Sequence, residues 1–274
     1  MGSGIAYQAA STLGCGVVVC DLDQPALDRG RTLMDKQCQG AIARGKATAE
    51  QVEAWQRRLE FHVGLDALAP ADVAVEAVFE DLAIKRATFT QLDQVCRPDA
   101  LLASNTSGLS ITAIAAATTR PERVIGTHFF NPVPAMKLVE VVRGLATSDE
   151  TVARAEAFCR ALNKEVCTAR DFPGFVTTRV GQALIAEAIR CLEQGVADAA
   201  NIDRGVKLAY NYPLGPLELA DLIGLDVELH ILESLSEELG ERFLPSPLLR
   251  RLVAAGRLGR KSGSGFYEVE AAHA

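Results

Sequence analysis

One histidine and one carboxylate stand out in this sequence by the residues around them. His128 sits near the end of an apolar run at 124–129, and Glu140 lies in a second run at 137–142. Both runs read as strands. If those strands are neighbours, imidazole and carboxylate meet, and a histidine oriented by a carboxylate is a general base suited to neutral pH. Ser104-Asn105-Thr106-Ser107 follows another apolar strand and brings a hydroxyl and an amide to the same region. Between the histidine and the carboxylate, Asn131-Pro132-Val133-Pro134 carries two prolines that stiffen the connection. Alone, His128 reads as readily as a structural histidine and Glu140 as a solvated side chain. Their concentration with Ser107 and Asn131 in one short region favours proton-transfer chemistry.

A second signal lies at the other end of the first half. Gly2-Ser3-Gly4 opens an apparent helix at 2–12, a turn follows at Gly14 and Gly16, and a strand at 16–21 ends in Asp21. In a dinucleotide fold a helix N-terminus receives the pyrophosphate, and an acid about 20 residues later takes the ribose hydroxyls. Asp21 follows Gly2 by 19 positions. An acid there favours NAD over NADP, because a 2′-phosphate would face a like charge. No strand precedes Gly2 and the first two glycines of G-x-G-x-x-G are missing, so this stretch alone reads as an ordinary helix start. The expectation is a start placed too late, or a fragment, that binds NAD poorly until about ten upstream residues are restored.

The elements that must position these residues alternate. Strands are predicted at 16–21, 73–78, 101–104, 124–129, 137–142 and 164–168. Helices are predicted at 24–44, 48–61, 82–96, 110–117 and 148–162, the second opened by a Thr48–Gln51 capping box and followed by a turn near Gly64. Such alternation implies an α/β fold with a doubly wound, mostly parallel Rossmann-type sheet. After Asp171-Phe172-Pro173-Gly174 the pattern turns all-helical, beginning with Val176, Val180, Leu184, Ile185, Ala188 and Leu192 on one helix at 175–194. The boundary falls near residue 172, giving domains 1–172 and 173–274.

Composition narrows the function classes. The 274 residues carry 28 Lys plus Arg against 35 Asp plus Glu, a net charge of −7, which argues against a nucleic-acid partner. No run of 18 apolar residues marks a membrane span, and the N-terminus lacks a basic leader. Seven cysteines without a C-x-x-C pair read as reduced, mostly buried thiols in a cytoplasmic protein. The four histidines lack metal-ligand spacing. Asn105-Thr106-Ser107 matches a glycosylation sequon, which means little without a secretory signal.

The motifs together resemble the L-3-hydroxyacyl-CoA dehydrogenase family, including its 3-hydroxybutyryl-CoA members, over the whole chain. The matching stretches are Met1–Ala6, Val75–Lys85, Ser104–Ser107, His128–Val142, Asp171–Arg179, Tyr212–Asp226 and Gly259–Tyr267. The resemblance implies oxidation of (S)-3-hydroxyacyl-CoA to the 3-oxo thioester with hydride passed to NAD, short chains such as 3-hydroxybutyryl-CoA favoured, in fatty acid metabolism and β-oxidation. It implies that His128 takes the hydroxyl proton, that Glu140 holds the imidazole, and that Ser107 hydrogen-bonds the reacting oxygen. It places Glu80, Lys85, Asn131, Ser107 and Lys261 at the cofactor with Gly2 and Asp21. Read alone, Glu80 and Lys85 are a helix-start acid and a surface cation. It makes domain 1–172 NAD-binding, and 173–274 the substrate and dimerisation domain of a homodimer, with Leu217, Leu219, Leu222 and Ile223 as apolar candidates for either interface or core.

Lys36, Arg44 and Lys46, on or after helix 24–44, are candidate cations for an acyl-CoA phosphate or else a solvated helix face. The sequence departs from the family at Thr178, which stands where members carry an asparagine that polarises the substrate oxygen. A shorter donor there implies reduced activity or a shifted substrate. Two alternatives remain open: a dehydrogenase of a non-CoA hydroxy acid or sugar acid, and a non-catalytic relative.

Overall fold

The computed structural model describes residues 1–268 and comprises two compact units, Met1–Phe175 and Val176 onward. The first unit begins with α1 (Gly2–Thr12), β1 (Val17–Asp21), α2 (Gln24–Ala43), α3 (Ala49–Gln56) and β2 (Leu59–Val63). It continues with β3 (Val73–Glu76), α4 (Leu82–Val95), β4 (Leu101–Ser104), α5 (Ile111–Ala115), β5 (Val124–Phe129), β6 (Leu138–Arg143), α6 (Asp149–Ala161) and β7 (Glu165–Arg170). Side-chain caps start the helices where the sequence places them. Asp23 accepts from the Ala26 N–H, Asp81 from Ile84 and Ser148 from Thr151, each satisfying a backbone donor the helix cannot. The Thr48–Gln51 capping box is formed in both directions.

One expectation needs correction. The helix predicted at 48–61 ends at Gln56, and Leu59–Val63 is a strand that pairs parallel with β1 from Val17↔Leu59 to Asp21↔Val63. Leu-Glu-Phe-His-Val alternates apolar and polar residues, a period of two that the strong cap upstream concealed. The mostly parallel strands fall into two sheets. β1 and β2 form one, and β3-β4-β5-β6-β7 form another, all parallel except the antiparallel β5–β6 pair. In the doubly wound order the first strand in sequence is central, whereas here β1 and β3 each end a separate sheet.

Helix α1 joins the two sheets. Ile5 and Ala9 pack with Leu101, Ile125, Phe129 and Val139 of the larger sheet. Ala6 and Tyr7 pack with Met34, Cys38 and Val52, against Val19, Leu59 and Phe61 of the smaller one. A helix that is apolar around its circumference is a buried helix. All seven cysteines are free, but only Cys38, Cys96 and Cys159 are buried. Cys15 is exposed, so the expectation of mostly buried thiols does not hold. Among the described residues no helix is long and apolar enough to cross a membrane, and no cluster of three metal-ligating side chains occurs.

The second unit is helical: α7 (Thr177–Glu193), α8 (Ala199–Tyr210), α9 (Pro216–Ile223), α10 (Leu225–Leu239) and α11 (Pro247–Ala254). Its core gathers Ile185, Ile189, Leu217, Leu225, Leu232, Phe243 and Leu249. Two buried aspartates brace it. Asp203 accepts from the Leu217 and Glu218 N–H groups and the Tyr267 hydroxyl, and Asp221 from the Phe266 and Tyr267 N–H groups. A Cβ at position 265 would lie 2.0 Å from Asp221 Oδ1, so the glycine there is required by close approach.

Glu228 of α10 has no exposed surface, and neither carboxylate oxygen has a hydrogen-bond partner. Burial pushes its pKa from 4.5 up to about 7, and the neighbouring Gln182 amide offsets a smaller part. A raised folded-state pKa contributes stability that is complete below the unfolded value and is lost as pH rises through the folded one. The Glu228→Gln variant is therefore expected to match the wild type near pH 4.5 and to exceed it above pH 7, by roughly 2–3 kcal/mol in urea unfolding. Equal pH profiles for the two proteins would contradict this.

Candidate active site

The reversal of direction between β5 and β6 sets His128 directly opposite Glu140. Residues opposed in a ladder project from the same face of the sheet, and His128 Nδ1 lies 2.8 Å from Glu140 Oε2. Glu140 has no exposed surface and His128 is 8% exposed. A carboxylate only accepts, so the imidazole proton sits on Nδ1 and the lone pair on Nε2. The ring packs beside Phe130 (centroids 4.4 Å apart) and at an angle to Phe175 (6.1 Å). Phe175 holds a left-handed backbone, φ +48°, an uncommon state for a bulky residue. The arrangement is that of an oriented base in apolar surroundings.

Ser107 stands in the loop that leaves β4. Glu80 Oε1 accepts its backbone N–H at 2.7 Å, its hydroxyl at 3.1 Å and the Thr106 hydroxyl at 2.5 Å. Burial would raise the Glu80 carboxyl, but the Thr106, Lys85 and Ser107 contacts outweigh it and hold it below the usual carboxylate range. Lys85 is not a surface cation. It has no exposed surface, and its Nζ lies 2.6 Å from Glu76 Oε1 and 3.2 Å from Glu80 Oε2. Asn105 ties this loop to the histidine strand, its Oδ1 accepting the Phe129 N–H at 3.0 Å. Sequence reading passed over Glu76 and noted Asn105 only as an amide brought to the region. Glu76 lies in the matching motif, but only its burial marks it.

The residues expected at a dinucleotide fit an anionic, ribose-bearing ligand. The first turn of α1 carries no acid and no side-chain cap, so its N–H groups are not taken by a carboxylate, as anion binding at a helix N-terminus requires. Gly4 permits close packing, since a Cβ there would meet Val133 at 3.2 Å. A cavity of about 150 Å³ beside this turn is lined by Met1, Ser3, Gly4, Leu33, Gln37, Asn131 and Val133, which brings Asn131 to the start of α1. Asp21 ends β1 exposed, one carboxylate oxygen accepting the Leu22 N–H at 2.8 Å. The loop carrying Asn131 is pinned by a residue the sequence did not suggest. Lys164 Nζ donates to the Val133 carbonyl at 2.6 Å and the Met136 carbonyl at 2.9 Å, and burial lowers its pKa.

Of the remaining expected residues, three lie on the first unit and two on the second. Lys36 lies on α2, and Arg44 and Lys46 just beyond its end; all three are exposed and outside any salt bridge among the described residues. Thr178 opens α7 and Lys261 follows α11, both in the second unit. Lys261 Nζ donates to Asp226 Oδ2 at 2.7 Å. Leu217 is wholly in the core, whereas Leu222 and Ile223 are exposed, which removes Leu217 from the candidate interface residues.

Comparison with known proteins gives two family matches. Residues 1–172 match the 3-hydroxyacyl-CoA dehydrogenase, NAD binding domain, and residues 174–269 match the 3-hydroxyacyl-CoA dehydrogenase, C-terminal domain. A "Probable 3-hydroxybutyryl-CoA dehydrogenase" of Bacillus subtilis is 48% identical over 271 residues, 98% of this chain and 94% of that protein. A 3-hydroxyadipyl-CoA dehydrogenase of Escherichia coli is 44% identical over 273 residues, 99% of this chain and 57% of that protein. The crystal structure of (S)-3-hydroxybutyryl-CoA dehydrogenase from Ralstonia eutropha is similar with a TM-score of 0.94 and 40% identity, covering 98% of this chain and 95% of that one.

The Lys164 contacts are testable by themselves. Lys164→Met leaves two carbonyls of the Asn131 loop without their donor. At about 1–3 kcal/mol per unsatisfied group, urea unfolding should show a loss of roughly 2–6 kcal/mol. A loss within experimental error would mean the ammonium does not hold the loop.

Proposed function

The chain belongs to the 3-hydroxyacyl-CoA dehydrogenase family, NAD-dependent oxidoreductases of CH–OH groups, and on that premise we propose that it oxidises (S)-3-hydroxyacyl-CoA to 3-oxoacyl-CoA, short-chain substrates such as 3-hydroxybutyryl-CoA being preferred. The observation that carries this reading is the 2.8 Å contact between His128 Nδ1 and the buried Glu140. It leaves Nε2 as the acceptor for the substrate hydroxyl proton, and a carbinol carbon can release hydride only as that proton is withdrawn. Glu140 then balances the imidazolium charge. NAD, when bound, accepts the hydride. The residues that would hold it are the α1 N-terminal turn, Asp21 and Asn131. Ser107 hydrogen-bonds the reacting oxygen, its hydroxyl proton turning there from Glu80, and Thr178 supplies the donor that the family takes from asparagine. The exposed cations Lys36, Arg44 and Lys46 offer partners for CoA phosphates.

The same reading includes a cytoplasmic homodimer acting in β-oxidation. Exposed Leu208, Tyr210, Tyr212, Leu222 and Ile223 of the helical unit support an apolar interface.

The test is oxidation of NADH at 340 nm with acetoacetyl-CoA. Turnover is expected with the wild type, a fall of about 10²–10⁴-fold with His128→Ala, and far slower turnover of free acetoacetate than of the thioester. Equal turnover of the free acid would overturn the assignment of a CoA thioester. In the same assay Thr178→Asn should raise kcat or shift chain-length preference. No change in either would remove Thr178 from the substrate oxygen.

A further inference from the structure

An ion triad lies behind Ser107, with Glu76 and Lys85 buried and Glu80 reaching the surface. Lys85 is enclosed between Glu76 Oε1 at 2.6 Å and Glu80 Oε2 at 3.2 Å. Glu76 is itself held on both oxygens: Oε1 also accepts the Val78 N–H at 2.7 Å, and Oε2 the Ser104 hydroxyl at 2.6 Å. Its backbone carbonyl receives the Asn105 N–H at 2.8 Å. A buried ion pair such as Glu76–Lys85 adds little net stability over apolar packing of the same volume. This one sits at the carboxyl ends of β3 and β4, where ligands bind in open α/β sheets. Its far end is Glu80 Oε1, the atom that takes both the N–H and the hydroxyl of Ser107.

We propose that Glu76 is a positioning residue that fixes the direction of the Ser107 hydroxyl through Lys85 and Glu80. This rests on the reading that Ser107 hydrogen-bonds the reacting oxygen: its single hydroxyl proton, given to Glu80 in the free protein, turns to that oxygen when substrate binds, while the backbone N–H keeps Ser107 on Glu80. One ammonium is divided between two carboxylates. The firmly anchored Glu76 takes the shorter contact, which leaves Glu80 Oε1 to Thr106 and Ser107. With Glu76 neutralised, Lys85 turns wholly to Glu80, draws it toward β3 and releases Ser107. The effect therefore passes through Ser107 and needs no contact between Glu76 and the substrate.

The experiment is a double-variant cycle on the full chain, read by acetoacetyl-CoA and NADH turnover and by amide hydrogen exchange without ligands. Glu76→Gln is expected to lower kcat by about 10–100-fold, the cost of a small misplacement, with KM for NADH within about threefold. In a Ser107→Ala background the same change should cost less than about twofold, since the target of the positioning is gone. The Ser107 amide should exchange at least tenfold faster in Glu76→Gln, while the amides of β5 keep their wild-type rates. Multiplicative losses in the double variant, or an unchanged Ser107 amide, would overturn the proposal and leave Glu76 a purely structural residue. Ser104→Ala, which removes one hydroxyl from Glu76, is the milder variant should Glu76→Gln not fold; it is expected to lower kcat about threefold with the same dependence on Ser107. A wild type without turnover would sink the functional reading, and the exchange experiment would still decide whether Glu76 sets Ser107.

Discussion

A fully buried carboxylate needs a partner, and the contact between Glu140 and His128 is the constraint around which the first unit is arranged. An unpaired Glu140 in the sheet interior would carry a large desolvation cost. The imidazole answers it at 2.8 Å, and that bond in turn assigns the ring proton to Nδ1. For the two side chains to meet, β5 and β6 must run antiparallel with His128 opposite Glu140. This is the one antiparallel pair in an otherwise parallel sheet. The reversal requires a short connection, which passes through Asn131 and Pro132 and is pinned by Lys164.

The polar groups around this pair are linked and not merely near one another. Glu76, Lys85, Glu80 and Ser107 form one chain of contacts across the ends of β3 and β4, and Asn105 connects that chain to β5. A satisfied network anchored on the buried Glu76 and Lys85 fixes geometry more firmly than its separate bonds would. Small movements of the donors cost rate steeply. Spending two glutamates and a lysine behind one serine is consistent with a site whose value lies in direction, not in added stability.

Much of this was legible in the chain. His128, Glu140, Ser107 and Asn131 announced themselves because chemistry-bearing side chains were concentrated beside apolar strands, and the family resemblance carried the fold and the cofactor. The capped helix starts followed from local hydrogen bonding, which short sequence windows record. What was hidden was tertiary. Leu59–Val63 was absorbed into the helix before it, because a capping box outweighed five alternating residues. Lys85 passed for a surface cation, and Lys164 carried no signal, because burial of a lysine depends on carboxylates or carbonyls distant in sequence. The division into two sheets depends on which strands hydrogen-bond, and periodicity alone does not specify that.

The central claim is the protonation pattern of one imidazole, and nitrogen-15 NMR of the histidine ring reads it directly. In the neutral imidazole without ligands, His128 is expected to show a protonated Nδ1 with a strongly deshielded proton, and an unprotonated Nε2. That Nδ1 signal should collapse in Glu140→Gln. A proton resident on Nε2 in the wild type would contradict the account, because the nitrogen assigned to take the substrate proton would already be occupied.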